Sequence, residues 1–370
     1  MNEAEEVERI PYEEAEAGGG AGAFAKAFDA QLQLDQARAF LDDWGYVVLS
    51  GVFGAEACAA TRGAMWDMVE AGSPGLNRAL PGTWDKFAAA GRYGLGSRGP
   101  CFHRQLVSNR QSPVLVRALA ALVGTEPDDV IVSHDRYTVY RATAFGEAFA
   151  TGDRNVHLDL NPFWHLESFS DVTVGLESLK YGDAQDLIKE NNLVVESAGR
   201  HVQCVLNFSD NLEDDGGTII VPRFHRRYKQ WCARNERLRR PLPWLQFEGA
   251  ATIDSPERDR LLAQAQRVPM REGSVLLWHQ TMMHGSQPNR SSACRHAQFL
   301  KAYSRRRGFR ADLCSAQQIP PTAPPQVYSS ARLLRRAALV ERCLAEAGCA
   351  DEVTELGRRV FGLDVLQTSR

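Results

Sequence analysis

Residues 155–160 read Asn-Val-His-Leu-Asp-Leu, and apolar residues alternate with polar ones along the stretch. This alternation predicts a half-buried β-strand. Because residues two apart in a strand point to the same face, His157 and Asp159 would present an imidazole and a carboxylate side by side. A surface histidine beside a turn aspartate has the same pattern, so the pair needs support from elsewhere in the chain. A third nitrogen ligand would complete the facial triad that suits non-haem Fe(II).

The candidate third ligand follows a second apolar strand. Residues 271–279, Arg-Glu-Gly-Ser-Val-Leu-Leu-Trp-His, read as a turn that leads into a buried strand, and His284 comes five residues later. Arg295 lies eleven residues beyond His284, at the start of another predicted strand. An arginine there can bind a carboxylate through two parallel hydrogen bonds, and the hydroxyl of Ser286 can support the same group. The pattern thus predicts a metal ligand and a dicarboxylate anchor on neighbouring strands.

The segments around these motifs predict a mainly β fold with flanking helices. Helical patterns occupy 35–43, 55–71 and 112–124, and a first strand occupies 45–49. From residue 130 the chain changes to short strands, predicted at 130–141, 155–160, 201–210, 218–221, 274–279 and 295–303. Many short strands separated by turn residues are typical of an antiparallel sandwich or barrel.

The two ends of the chain differ in composition from the middle. Seven glutamates and one arginine fall within residues 1–16, and a Gly/Ala run follows, so residues 1–31 are expected to be a disordered lead. Residues 32–310 are expected to form one folded domain. Residues 311–370 begin with a Pro-rich connection and are expected to end as a helical tail packed on that domain. The long stretch 165–200 is predicted to be a lid over the mouth of the barrel, with a surface excursion as the alternative.

Charge and cysteine content narrow the class of protein. The net charge is −3, and hydrophobic residues make up 44% of the chain, as in ordinary globular proteins. No run of 18 apolar residues occurs and the N-terminus is acidic, so we expect neither a membrane span nor an export signal. The eight cysteines form no Cys-x-x-Cys pair and are expected to be reduced thiols in a cytoplasmic protein.

Three motifs resemble, in order and approximate spacing, those of the phytanoyl-CoA dioxygenase family of 2-oxoglutarate oxygenases. They are His157-x-Asp159, the stretch 216–222 (Gly-Gly-Thr-Ile-Ile-Val-Pro) with His225, and His284-Gly285-Ser286 followed by Asn289 and Arg295. The resemblance spans roughly residues 35–305. It implies a double-stranded β-helix, or jelly roll, flanked by helices. It also implies that His157, Asp159 and His284 bind Fe(II), that Arg295 and Ser286 bind the distal carboxylate of 2-oxoglutarate, and that O2 is a cosubstrate.

Two aromatic residues are further candidates for the cosubstrate pocket. Tyr140, on the strand before the ligand strand, is expected to reach the proximal side of 2-oxoglutarate. Trp164 lies seven residues after His157. It is expected to line the pocket for the cosubstrate or the substrate, and the alternative is an ordinary aromatic residue of the core.

These features together favour a dioxygenase that hydroxylates a small-molecule substrate and releases succinate and CO2. The carboxylate of Asp159 favours hydroxylation over halogenation, because related halogenases have a small residue there. Desaturation and ring formation use the same ligands, so the sequence does not distinguish them from hydroxylation. A non-redox metal- or ligand-binding protein of the cupin type is the first alternative. An oxygenase that acts on protein or nucleic acid is another, supported only by basic clusters that are more typical of solvated surface. No motif selects a substrate or an oligomeric state.

Overall fold

The computed structural model describes residues 8–13, 24–88, 94–97, 100–152, 154–159, 202–238, 255–307, 326–327 and 330–366. The helices in these ranges are α1 (Leu34–Trp44), α2 (Ala55–Gly72), α3 (Arg104–Arg110), α4 (Pro113–Val123), α5 (Phe224–Arg234), α6 (Ser255–Gln264), α7 (Ser330–Glu346) and α8 (Glu355–Val360). None of the helices described is both long and apolar enough to cross a membrane. The helices α1, α2 and α4 begin and end within one residue of the bounds predicted from the sequence.

The strands are short, as the sequence pattern indicates. They are β1 (Ala27–Asp29), β2 (Tyr46–Ser50), β3 (Val130–Val132), β4 (Tyr137–Tyr140), β5 (Asn155–His157), β6 (Val202–Asn207), β7 (Gly217–Ile220), β8 (Gln266–Arg267), β9 (Val275–His279), β10 (His284–Gln287), β11 (Arg295–Ser304), β12 (Arg306–Arg307) and β13 (Gln326–Val327). The run predicted at 130–141 is interrupted and forms β3 and β4, which both pair with β11.

Two larger sheets organise these strands. The large sheet has the order β1-β2-β9-β6-β11-β3, with β4 also paired to β11, and the small sheet has the order β5-β10-β7-β8. Apart from the parallel pair β1–β2, the strands in both sheets pair antiparallel. Strands far apart in sequence thus become neighbours, as in a jelly roll. The predicted double-stranded β-helix with flanking helices is confirmed.

The large sheet is buried on both faces, which explains its continuous apolar runs. Alternate residues of β9 belong to different clusters: Val275 and Leu277 pack with apolar residues of α2 and α4, whereas Leu276 and Trp278 pack with residues of the small sheet. Helices therefore cover the outer face, and the inner face looks toward the small sheet. Burying each large apolar side chain stabilises the fold by about 1.5–3 kcal/mol.

The N-terminal part of the fold begins before the expected boundary at residue 32. Ile10 and Phe28 are buried, Tyr12 forms a bridge with Ala25, and β1 adds a strand parallel to β2. The glutamate-rich composition describes the segment as a whole and does not show which single residues pack on the fold. Single apolar side chains and one backbone ladder are enough to hold residues 8–13 and 24–31 on the sheet.

The C-terminal helices lie against the same core as the helices that precede residue 130. Leu339, Val340 and Leu344 of α7 belong to the cluster that covers the outer face of the large sheet. Arg336 donates to the backbone carbonyl of Val132 at 2.7 Å, which ties α7 to β3. The tail therefore contributes to the hydrophobic core beside the sheet.

Candidate metal and cosubstrate site

Three potential metal ligands meet between two strands of the small sheet. β5 and β10 are antiparallel, and His157 lies directly opposite His284, with ring centroids 4.6 Å apart. Asp159 lies just beyond the end of β5, and its Oδ1 is 3.2 Å from Nε2 of His157. One ligand atom from each of the three residues lies within 4.8 Å of those of the other two. This spacing allows all three to bind one ion.

The local sequence explains how the two strands come so close. A Cβ atom on Gly285 would lie 1.7 Å from the backbone carbonyl oxygen of Asn155, so only glycine permits this approach. Nδ1 of His284 is 2.9 Å from the carbonyl oxygen of Met282. Because a carbonyl can only accept, Nδ1 carries the proton and Nε2 keeps the lone pair that a metal needs.

The protonation states suit metal binding. Burial, with a smaller contribution from nearby His157, lowers the pKa of His284 to about 3, so its imidazole is neutral at neutral pH. Burial alone would raise the pKa of the Asp159 carboxyl. The ammonium of Lys301, whose Nζ is 2.7 Å from Oδ2, and the two histidines together outweigh burial and hold the pKa of Asp159 well below its usual range. A metal ion would thus meet an ionised carboxylate and a neutral imidazole without displacing protons from them.

The three candidate metal ligands, His157, Asp159 and His284, line a cavity of about 570 Å³. Arg295, Ser286 and Tyr140 line the same cavity. Arg295 is only 1% exposed, and its Nε and Nη2 have no hydrogen-bond partner within the described residues. Burial lowers the pKa of this guanidinium, a sign of how strongly the site disfavours an uncompensated charge. A buried cation without an anion is unfavourable, so the cavity is suited to an anionic ligand.

The surroundings of Arg295 are shaped for its guanidinium. A Cβ atom on Gly217 would lie 2.6 Å from Nε of Arg295, and the φ of +111° at Gly217 also disfavours any larger residue. Tyr140 is paired with Arg295 across β4 and β11, and its ring centroid is 5.0 Å from the guanidinium carbon. The structure thus places Tyr140 in the cavity beside Arg295. Ser286 lies two residues from His284 on β10, and its Oγ accepts a hydrogen bond from Asn155 at 3.1 Å.

The remaining sequence candidates lie elsewhere. Trp164 and the predicted lid at 165–200 fall outside the described residues. His279 is buried, and its Nδ1 is 2.8 Å from the hydroxyl oxygen of Thr281. Nε2 of His225 is 3.1 Å from the backbone carbonyl oxygen of Asp42. Neither histidine belongs to the group formed by His157, Asp159 and His284.

Gln203, Trp278 and Lys301 are among the cavity residues that sequence reasoning missed. For Lys301 a signal was present in the sequence. It lies six residues after Arg295 in one strand, and the even spacing puts both side chains on the same face. A lysine within the apolar run at 299–303 is also an unusual choice for a buried strand.

Comparison with known proteins agrees with this site. Residues 41–297 match the family model described as phytanoyl-CoA dioxygenase. A putative phytanoyl-CoA dioxygenase of Dictyostelium discoideum is 31% identical over 269 residues, which are 71% of this chain and 74% of the relative.

Solved structures provide a second comparison. The putative oxidoreductase from Salmonella typhimurium LT2 aligns with a TM-score of 0.54 and 15% identity, over 91% of this chain and 85% of that one, and shares the fold. A non-heme alpha-ketoglutarate-dependent carbocyclase from nogalamycin biosynthesis aligns with a TM-score of 0.45 and 16% identity, over 82% of this chain and 97% of that one. Because the family model and the Dictyostelium relative each cover most of the sequence, the chain belongs to the phytanoyl-CoA dioxygenase family, whose members are iron- and 2-oxoglutarate-dependent oxygenases.

Proposed function

We propose that the protein is an Fe(II)- and 2-oxoglutarate-dependent dioxygenase that hydroxylates a small-molecule substrate. The observation that carries this proposal is the buried guanidinium of Arg295, whose Nε and Nη2 find no hydrogen-bond acceptor among the described residues, in the same cavity as His157, Asp159 and His284. A metal site alone gives no reason to bury an uncompensated cation beside it. A metal site that also binds a dicarboxylate needs such a cation, because the cation pairs with the carboxylate of the ligand.

Each residue has a defined task in this proposal. His157, Asp159 and His284 hold Fe(II) through two imidazole nitrogens and one carboxylate oxygen, a donor set that suits this ion. Arg295 and Ser286 bind the distal carboxylate of 2-oxoglutarate, which orients the cosubstrate along the cavity. Bound iron with O2 and 2-oxoglutarate supplies the oxidation: one oxygen atom enters the substrate, the other enters succinate, and CO2 is released.

Hydroxylation is the proposed outcome because the chain retains Asp159. Its carboxylate occupies the position that a halide would need. The ion pair between Oδ2 of Asp159 and Nζ of Lys301 further fixes this side chain and leaves Oδ1 toward His157.

The alternatives receive less support from the contacts. A cupin-type metal protein without redox turnover has no need of the carboxylate anchor at Arg295. An oxygenase for nucleic acid would need basic residues available to phosphates. In the basic cluster at 225–229, Arg226 is instead paired with Asp43 at 2.6 Å and Arg227 donates to Gln264.

The proposal is tested by adding Fe(II) and 2-oxoglutarate to the purified protein without oxygen. We expect a weak visible metal-to-ligand charge-transfer band that neither component gives alone. Admitting oxygen should then convert 2-oxoglutarate to succinate, slowly without the primary substrate. If neither the band nor succinate appears at saturating metal and cosubstrate, the proposed function is wrong.

A further inference from the structure

A row of three hydrogen-bond donors crosses the inner face of the large sheet. Trp278 on β9 lies opposite Gln203 on β6, and Gln203 lies opposite Lys301 on β11. Residues opposite one another on adjacent strands point to the same face, with Cβ atoms about 5 Å apart. All three side chains line the cavity. We call Trp278, Gln203 and Lys301 the donor row.

Two members of the donor row, Trp278 and Gln203, are buried and each has a donor nitrogen without a hydrogen-bond acceptor among the described residues. Trp278 is 4% exposed and Gln203 is 3% exposed. The indole Nε1 of Trp278 and the amide Nε2 of Gln203 have no hydrogen-bond acceptor in the part of the chain that the structure describes. Both atoms can only donate, and buried donors are normally satisfied. The row is therefore complementary to a ligand with oxygen acceptors.

The third member, Lys301, adds a positive charge next to the three candidate metal ligands. The side chain of Lys301 is 8% exposed, and its Nζ contacts Oδ2 of Asp159 at 2.7 Å. A cation beside two neutral donors favours an anionic acceptor over a neutral one, because charge-assisted hydrogen bonds are stronger. The contact with Asp159 also places this end of the row close to where iron would be held.

The donor row is separate from the anchor at Arg295. Lys301 and Arg295 face the same side of β11 but are six residues apart, or about 20 Å along the strand. The apolar ring of Phe299 lies between them on the same face and also lines the cavity. Along β11, the cavity thus presents two cations with apolar surface between them.

We propose that the donor row binds the carboxylate of the primary substrate, so that the substrate is a small organic acid oxidised a few bonds from its carboxylate. This inference rests on the proposed function, since it assigns the Arg295 end of the cavity to 2-oxoglutarate. Apolar residues in the cavity, among them Val205, Leu262 and Phe299, then face the carbon skeleton. Lys301, Gln203 and Trp278 determine specificity by holding the acid group while the reacting carbon faces the iron.

The test uses the protein with saturating Fe(II) and 2-oxoglutarate in the absence of oxygen. The probes are butyrate, hexanoate, octanoate and decanoate, each compared with its methyl ester and its primary amide. Binding near iron is read from the change in the charge-transfer band. We expect at least one acid to bind about tenfold more tightly than its ester and amide, the effect of one charge-assisted contact.

The variants assign that preference to the donor row. Lys301→Met should remove the preference for acid over ester, Lys301→Arg should retain most of it, and Gln203→Leu should reduce it about two- to tenfold. The ratio of acid to ester affinity is compared within each variant, so a change in metal loading cancels. Lys26→Met is the matched control, because Lys26 is an exposed lysine outside the cavity. If Lys301→Met does not fold, Lys301→Arg and Gln203→Leu still show whether the donor row causes the preference for acid over ester.

Three results would overturn the inference: no acid perturbs the band of the wild type, esters bind as well as acids, or Lys301→Met keeps the preference. It is also wrong if Lys301→Met weakens 2-oxoglutarate binding as much as Arg295→Met does, because the row would then serve the cosubstrate. Failure of the proposed function gives a different result, since the wild type would show no band with Fe(II) and 2-oxoglutarate alone.

Discussion

Replacing Arg295 by methionine should change stability and cosubstrate affinity in opposite directions. Methionine matches the aliphatic part of the arginine side chain but lacks the guanidinium, and so has no charge and no hydrogen-bond donors. In the absence of ligand, the guanidinium is 1% exposed and its Nε and Nη2 have no partner among the described residues. A buried unsatisfied donor costs about 1–3 kcal/mol, so Arg295→Met should stabilise the ligand-free protein by about that amount. An arginine with a purely structural role would give the opposite sign.

The same substitution should weaken 2-oxoglutarate binding. Losing a charge-assisted contact of about 1.5–3 kcal/mol raises Kd by about ten- to hundredfold. Ligand binding stabilises the folded state according to its saturation. At a 2-oxoglutarate concentration one hundred times the wild-type Kd, the wild type gains about 2.7 kcal/mol, whereas the variant gains only about 0.4–1.4 kcal/mol.

Thermal denaturation measures both effects in one experiment. Tm is recorded for wild type and Arg295→Met with Fe(II) under anaerobic conditions, with and without 2-oxoglutarate. We expect a higher Tm for the variant without cosubstrate and a much smaller rise when it is added. A variant with a lower Tm and an undiminished response to 2-oxoglutarate would refute the assignment of Arg295 as the anchor.

Further predictions concern the metal ligands, the glycine beside the anchor and the response to pH. His157→Ala or His284→Ala should abolish the charge-transfer band, whereas His225→Ala should retain it; an unchanged band in both ligand variants would contradict the assignment. Gly217→Ala should destabilise the fold by about 1–3 kcal/mol and weaken 2-oxoglutarate binding while metal binding persists, as titration can show. Burial lowers the pKa of His296 to about 3, whereas the unfolded value is about 6.5, so the unfolded state binds the extra proton between these limits. Stability should therefore decrease as the pH is lowered from about 6.5 to about 3, by about 1 kcal/mol per pH unit for this group. The slope of the unfolding free energy against pH should be shallower in His296→Phe, and equal slopes would show that His296 does not titrate on unfolding.

Local patterns were sufficient for most elements of the fold. The three helices predicted before residue 130 and the strands β9 and β11 begin within one residue of the predicted positions, because apolar periodicity and turn residues act over a few neighbours. The strand β10, which carries His284, was not predicted as a strand. The interruption between β3 and β4 was not predicted. It depends on both segments pairing with the same long strand β11, a contact with residues more than 150 positions away.

The N-terminal boundary shows the limit of composition. A glutamate-rich segment reads as disordered on average, yet Ile10 and Phe28 are buried in the folded protein. Whether such a segment packs depends on whether the rest of the fold presents a place for it. The exposed edge of β2 provides that place, and this edge exists only once the sheet has formed.

The sequence by itself was enough to predict the type of chemistry, because the residue types and spacing of His157, Asp159, His284 and Arg295 indicate it. Only the tertiary structure decided what else shares their cavity. Gln203, Trp278 and Lys301 come from three strands that are distant in sequence and are aligned by the register of the large sheet. Register between distant strands depends on backbone hydrogen bonds and on packing of the whole sheet, which no local pattern encodes.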